Sequence, residues 1–153
     1  MPRPVSSRPE PVSWQPLSGL RVLLAEDARG ARHLYRVALE RAGAEVTTVR
    51  GGGEAVLAWE SAAADGLPFT AAVLDYVMPE MNGADVAAAI RAAGFRGAVI
   101  GISADLPDAD AERWLAAGCD EVLPKGGSLE ALVARVAART RGAFGTSDPG
   151  RPR

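Results

Sequence analysis

Short runs rich in apolar and β-branched residues alternate along this chain with stretches in which apolar positions return every three or four residues. The runs predict strands at RVLLA from Arg21, AEVTTV from Ala44, FTAAVLD from Phe69, GAVIGIS from Gly97 and DEVLP from Asp120. The stretches between them predict helices whose buried stripes carry Ala31, Leu34 and Ala38, then Val86, Ile90 and Ala93, and finally Leu129, Leu132, Val133, Val136 and Ala137. Gly43, Gly94 and Gly118 each stand between a helical stretch and the next strand, where a left-handed C-cap is expected. This alternation predicts an α/β fold with a parallel sheet, built as a (βα)5 chain.

Periodicity fails at both ends. MPRPVSSRPEPVSWQP holds five of the 11 prolines, and GAFGTSDPGRPR carries Gly, Pro and Arg without apolar spacing. The expected organisation is a flexible tail over 1–19, one domain over 20–141 and a second tail over 142–153. Short tails fit either a single-domain protein or a piece of a longer one. The 153 residues, 48% of them hydrophobic, suffice for one core. A formal net charge of −2 argues against nucleic acid or an acidic membrane surface as a direct partner. Cys119 has no second cysteine to pair with, no run approaches the roughly 20 apolar residues of a membrane helix, and no signal-peptide core opens the chain, which together predict a cytoplasmic protein.

In a parallel sheet the residues just past the C-terminal strand ends line one edge, where such folds bind ligands. Here that edge collects Glu26 and Asp27 after the first strand, Asp75 at the end of the third, Ser103 at the end of the fourth and Lys125 after the fifth. If the winding reverses after the second strand, the first and third strands become neighbours and the acids converge. Two unit charges 4 Å apart repel by about 4 kcal/mol at an effective dielectric of 20, so the cluster needs a cation. Oxygen ligands with no paired His or Cys select a hard ion such as Mg²⁺. An aspartate is also a competent nucleophile toward phosphorus, and metal, ammonium and hydroxyl could neutralise the oxygens of a phosphoryl group in flight.

With ED at Glu26 and Asp27, LDYVMPEMNG around Asp75, ISA at Ser103 and LPK ending at Lys125, the stretch from Leu20 to about Arg141 resembles a receiver domain of two-component response regulators. The phrases GLRVLLAED, AGAEV, PFTAAVLD and AGCDEVL are most similar to receivers of hybrid histidine kinases. The resemblance implies a flavodoxin-like doubly wound fold with strand order 2-1-3-4-5. It implies that Asp75 accepts phosphate from a histidine kinase or histidine phosphotransfer protein, and that the domain then switches its interaction with an output partner not named by the sequence. Asp27 would bind Mg²⁺ directly, Glu26 mainly through water, with Asp75 and the Val77 carbonyl completing the protein ligands; Ser103 and Lys125 would hold the phosphoryl group. On this reading the protein is not an enzyme with a separate substrate and catalyses only its own phosphorylation and dephosphorylation.

Two positions depart from the pattern. Gly126 follows Lys125 where receivers usually carry a cis proline, so another loop shape is expected there, since a non-proline cis bond costs roughly 2.5 to 4 kcal/mol. Val122 stands where many receivers place a Tyr or Phe that swings on phosphorylation, so that rotamer switch is absent. A degenerate receiver that binds partners without phosphorylation is the alternative these departures favour. A phosphatase is the other; it would need an acid at Val77. Among the remaining candidates, RGGGE at 50–54 lacks the spacing of a phosphate-binding loop and reads as a turn. His33 reads as a surface residue, Cys119 as a small core residue, and Trp59 and Trp114 as packing or partner contacts.

Overall fold

The computed structural model describes residues 14–104 and 108–144. Its elements are β1 (Arg21–Ala25), α1 (Arg29–Arg41), β2 (Glu45–Val49), α2 (Gly52–Ala64), β3 (Ala71–Asp75), α3 (Gly83–Ala92), β4 (Ala98–Ser103), α4 (Asp108–Ala116), β5 (Glu121–Pro124) and α5 (Leu129–Phe144). Every strand pair is parallel and the order is β2-β1-β3-β4-β5, the expected flavodoxin-like arrangement. Pairing of β1 with β3 sets Val22 to Ala25 against Ala71 to Leu74, which brings the loop after β1 beside the end of β3.

Burial follows from that order. All residues of the inner strands β3 and β4 are buried, whereas the edge strands β2 and β5 alternate or stay half-exposed. Along β1, Leu23 and Ala25 face a core with Trp59, Val86, Ile90 and Trp114, while Val22 and Leu24 face a second core with Tyr35, Leu39, Leu132 and Val136. Successive side chains of a strand point to opposite faces, so one sheet seals two apolar layers. Pro124 lies at the end of β5, an edge where its missing N–H leaves no ladder incomplete.

Gly43, Gly94 and Gly118 have φ of 104°, 108° and 90°, and the N–H that follows each bonds back to Leu39, Ile90 and Trp114, as in a Schellman cap. Helix stripes differ from expectation at two positions. Leu34 is 56% exposed, because the buried face of α1 runs through Tyr35, Leu39 and Ala42; the tyrosine supplies the apolar surface expected of the leucine. Ala93 is likewise exposed, being the C-cap residue of α3 rather than part of its buried stripe.

The packed domain also begins before Leu20. Leu17, within the segment expected to be tail, is fully buried, its N–H donating to the carbonyl of Ala42; one leucine suffices to anchor a short turn over the end of α1. Residues 1–13 and 145–153, the remainder of the expected tails, lie outside the described residues, and α5 extends to Phe144 rather than ending at 141.

Arg91 on α3 ties the end of the sheet opposite the expected site. Its guanidinium donates to the carbonyls of Gly118 (3.0 Å), Phe95 (3.0 Å) and Gly97 (2.7 Å) and to Asp120 (3.1 Å), whose carboxylate also accepts the Val99 N–H. Because the planar fork serves four oxygens at once, Arg91→Ala is expected to lower stability by about 2 kcal/mol, and Arg91→Lys to recover less than half of it, as measured by denaturant unfolding.

Candidate functional site

The strand order delivers the expected acids to one place. Glu26 follows β1 directly, and its side chain is fully buried while its N–H donates to the carbonyl of Val49. Asp75 closes β3 and is 3% exposed. Asp27 is exposed at the mouth, and one carboxylate oxygen from each of Glu26, Asp27 and Asp75 lies within 4.8 Å of the others.

Lys125 reaches this cluster from the far edge of the sheet. Its Nζ lies 3.0 Å from Glu26 Oε1 and 3.2 Å from Asp75 Oδ2, one ammonium shared by two buried carboxylates. The loop that aims it contains no cis peptide: the Gly127 N–H donates to the Pro124 carbonyl, and Gly126 takes φ 78°, a value a glycine adopts without steric cost. The departure at Gly126 therefore changes the turn and still presents the lysine. Ser103 is buried at the end of β4, one residue past the register partner of Asp75, and its carbonyl accepts the Lys125 N–H. Val77 is 68% exposed in the loop after β3, an apolar side chain at the mouth; the role of its carbonyl rests on the resemblance.

Burial pushes the Asp75 carboxyl up to about 6 from 3.8, with the nearby Glu26 carboxylate adding to the rise and Lys125 opposing it. Burial works against the Lys125 ammonium, but the hydrogen bond to Glu26 and the charges of Asp75 and Glu26 outweigh it and hold its pKa above that of an ordinary lysine. Glu26 Oε1 takes both Lys125 and the Ala28 N–H (3.0 Å), whereas Oε2 is buried with no hydrogen-bond partner among the described residues. An orphaned carboxylate oxygen beside two further acids fits a hard dication, which accepts oxygen ligands and keeps part of its water shell.

The turn after β3 explains its own sequence. Asn82 caps α3 by accepting the Asp85 N–H (2.8 Å), and Gly83 must be glycine because a Cβ there would strike the Asp75 carbonyl and the Trp114 ring. Trp114 is fully buried and also lies against Gly101, where an added Cβ would sit 3.0 Å from its ring. Tyr76, adjacent to Asp75, packs on Trp114 at 5.4 Å between ring centroids and accepts a hydrogen bond from Arg113 (3.0 Å). Trp114 is thus a packing residue, as is Trp59; His33 is exposed, Cys119 is buried with its thiol pushed up to about 11 by desolvation, and RGGGE turns β2 into α2, with Gly52 lacking room for a side chain against Met81.

Sequence reasoning missed Arg32. Its Nη1 donates to the carbonyls of Glu26 (3.0 Å) and Asp27 (3.2 Å). Contacts from side chain to main chain leave no pattern in a sequence; the available signal was an arginine one turn into the helix that follows the acidic pair.

A family model described as the response regulator receiver domain matches residues 22–137. The transcriptional regulatory protein TcrA of Mycobacterium tuberculosis is 34% identical over 125 residues, covering 82% of this chain and 47% of that protein. The transcriptional regulatory protein TctD of Salmonella typhimurium is 35% identical over 130 residues, covering 82% and 54%. The chain thus spans about half the length of the curated relatives it matches. Among solved structures, the receiver domain of the histidine kinase CKI1 from Arabidopsis thaliana, complexed with Mg²⁺ and BeF3⁻, is 26% identical with a TM-score of 0.69, covering 82% of this chain and 94% of that one. The receiver domain of a Francisella response regulator, at 23% identity and TM-score 0.72 over 82% and 99% of the two chains, shares the fold.

With its pKa raised in the fold, Asp75 binds a proton more tightly folded than unfolded, so the stability it contributes is full below about 3.8 and is lost as pH rises through about 6. In metal-free protein at pH 7, Asp75→Asn is therefore expected to be more stable than the parent by on the order of 2 kcal/mol. That advantage should shrink toward zero near pH 4. Thermal unfolding of both proteins across this range, in chelator, checks the sign; an Asn variant less stable at pH 7 would contradict it.

Proposed function

The chain belongs to the response regulator receiver domain family, and from that membership we propose that it accepts a phosphoryl group on Asp75 from a phosphohistidine of a histidine kinase or phosphotransfer protein, in a Mg²⁺-dependent reaction. The observation that carries this reading is the Lys125 ammonium held between Glu26 and Asp75 at the mouth of a buried acidic cluster. Glu26, Asp27 and Asp75, with the Val77 carbonyl, would hold the ion. Bound there, Mg²⁺ supplies positive charge against the phosphoryl oxygens.

Asp75 then acts as nucleophile: its carboxylate oxygen forms a bond to phosphorus as the phosphorus–nitrogen bond of the donor breaks, and the imidazole leaves with its electron pair and takes up a proton. Lys125, already within hydrogen-bond reach of the accepting carboxylate, meets a phosphoryl oxygen with little rearrangement, which is positioning rather than new chemistry. Ser103, buried at the neighbouring strand end, is placed to give its hydroxyl to a second oxygen. Exposed Val77 offers no acid or base to a hydrolytic water, which supports a long-lived aspartyl phosphate and a switch without turnover of a separate substrate. A cytoplasmic location belongs to the same reading; among the described residues no helix is long and apolar enough to cross a membrane.

Intact-mass measurement after incubation with acetyl phosphate and Mg²⁺ is expected to show one added phosphoryl group, absent from Asp75→Asn and absent in chelator. Lys125→Ala should slow its appearance on the order of 100-fold, the usual cost of deleting one donor to a developing oxyanion. No added mass from either acetyl phosphate or a phosphohistidine donor, in folded protein, would overturn the proposal. Val77→Asn, which adds a polar group beside the phosphorylated carboxylate, is expected to shorten the lifetime of the phosphorylated form, followed by the decay of the same mass peak.

A further inference from the structure

The loop that carries Glu26 and Asp27 is short, bends between β1 and α1, and enters the helix without the usual anchor. The N-cap residue of α1 is Ala28, with no side-chain hydrogen bond to the first turn. Alanine is a poor residue there, because Ser, Thr, Asp or Asn would satisfy a free helix N–H and fix the entry angle of the chain. Something else must hold these acids in place.

Arg32 meets that need. Its backbone N–H makes the first helical bond to the Ala28 carbonyl (2.9 Å), and its side chain turns back over the loop, where one guanidinium nitrogen donates to the carbonyl of Glu26 at 3.0 Å and to that of Asp27 at 3.2 Å. A guanidinium beside several acids ordinarily gains most from a carboxylate, since charge-assisted pairs are the stronger ones. Arg32 makes no ion pair among the described residues; its bonds go to the main chain, which leaves the acidic oxygens, including the unpartnered Glu26 Oε2, free to face the cluster. The loop is clamped from the other side by Glu26 itself, through its N–H to Val49 and its Oε1 to the Ala28 N–H.

We infer that Arg32 is a positioning residue for the metal loop: by holding two consecutive carbonyls it fixes the directions in which the Glu26 and Asp27 carboxylates point, without touching the ion or the phosphoryl group. The inference rests on the Mg²⁺-dependent reading of this site. It has a sign that distinguishes it from a simple charge effect. As a nearby positive charge, Arg32 repels a dication, so its loss would tighten Mg²⁺ binding. As a positioning residue, its loss weakens binding, and outer-shell partners of metal ligands commonly contribute 10-fold or more in affinity.

The test is Mg²⁺ titration by calorimetry of the parent, Arg32→Ala, Arg32→Gln and Arg32→Lys, with unfolding curves to confirm that each is folded. The expected result is a dissociation constant about tenfold higher in the Ala variant, with Lys restoring most of the loss because an ammonium can reach the same carbonyls. Phosphorylation by acetyl phosphate should show the matching split: a higher Mg²⁺ concentration for half-maximal rate, with the rate at saturating Mg²⁺ close to that of the parent. If the Ala variant does not fold, the Gln variant, whose amide nitrogen stops two bonds short of the Arg32 Nη1 that meets the Glu26 and Asp27 carbonyls and so cannot hold them from the same helix position, decides by the same comparison. Unchanged or tighter Mg²⁺ binding in a folded Ala or Gln variant overturns the inference while leaving the phosphoacceptor reading intact. Absence of Mg²⁺ binding by the parent defeats that reading, and the inference with it.

Discussion

Burying two carboxylates side by side is unfavourable unless a positive charge stands between them, and the whole active edge of this molecule is organised around meeting that condition. Within the chain the cation is Lys125, whose nitrogen lies about equally close to Glu26 and Asp75. These three residues come from loops and strand ends far apart in sequence. Only a parallel sheet with β1 beside β3, and β5 at the edge beyond β4, brings them to one edge with their side chains on the same side of the strand ends. Even so the ammonium does not fully offset the burial, as the raised pKa of Asp75 indicates. A site left short of positive charge is one poised to take up a cation.

The apolar framework beneath the site is fitted to it just as closely. Gly83 and Gly101 have no side chains where the Trp114 ring lies, so an aromatic residue on α4 packs against β4 and reaches the turn that follows Asp75. Tyr76 then joins the two elements, resting on Trp114 and bonded to Arg113. Val122, by contrast, contributes only a half-buried aliphatic side chain at the edge of the same core. Contact between α4 and the turn that follows Asp75 is thus direct.

How far the sequence disclosed this depends on the kind of interaction. Strands and helices were legible because burial imposes periods of 2 and 3.6 on the residues, and the site residues because a parallel sheet turns strand ends into neighbours. The stripe of α1 was misjudged at Leu34 because Tyr35, amphipathic and able to stand in for it, took the buried position. Leu17 was lost in a proline-rich segment, since one anchoring side chain produces no periodicity. Arg32 was invisible for a different reason: its partners are carbonyl groups, which every residue possesses. Gly126 was recognised as a departure, but the turn that replaces the expected one depends on its φ of 78°, a quantity that glycine permits without announcing.

These features bear on how the site would hold a dication. A carboxyl group with a pKa of about 6 is roughly nine-tenths ionised at pH 7, so Asp75 carries a charge at neutral pH, at a cost to the fold. Whatever binds the charged form preferentially recovers that cost, because a ligand that favours one protonation state stabilises the protein by its affinity for that state. A proton and a dication bound at Asp75 would therefore compete for the same carboxylate. Both buried acids also bind Lys125, so a cation held by Glu26 and Asp75 would weaken the attraction of the ammonium to them. The Lys125 ammonium would then be freer to turn toward an anionic group, as the proposed phosphoryl transfer to Asp75 requires.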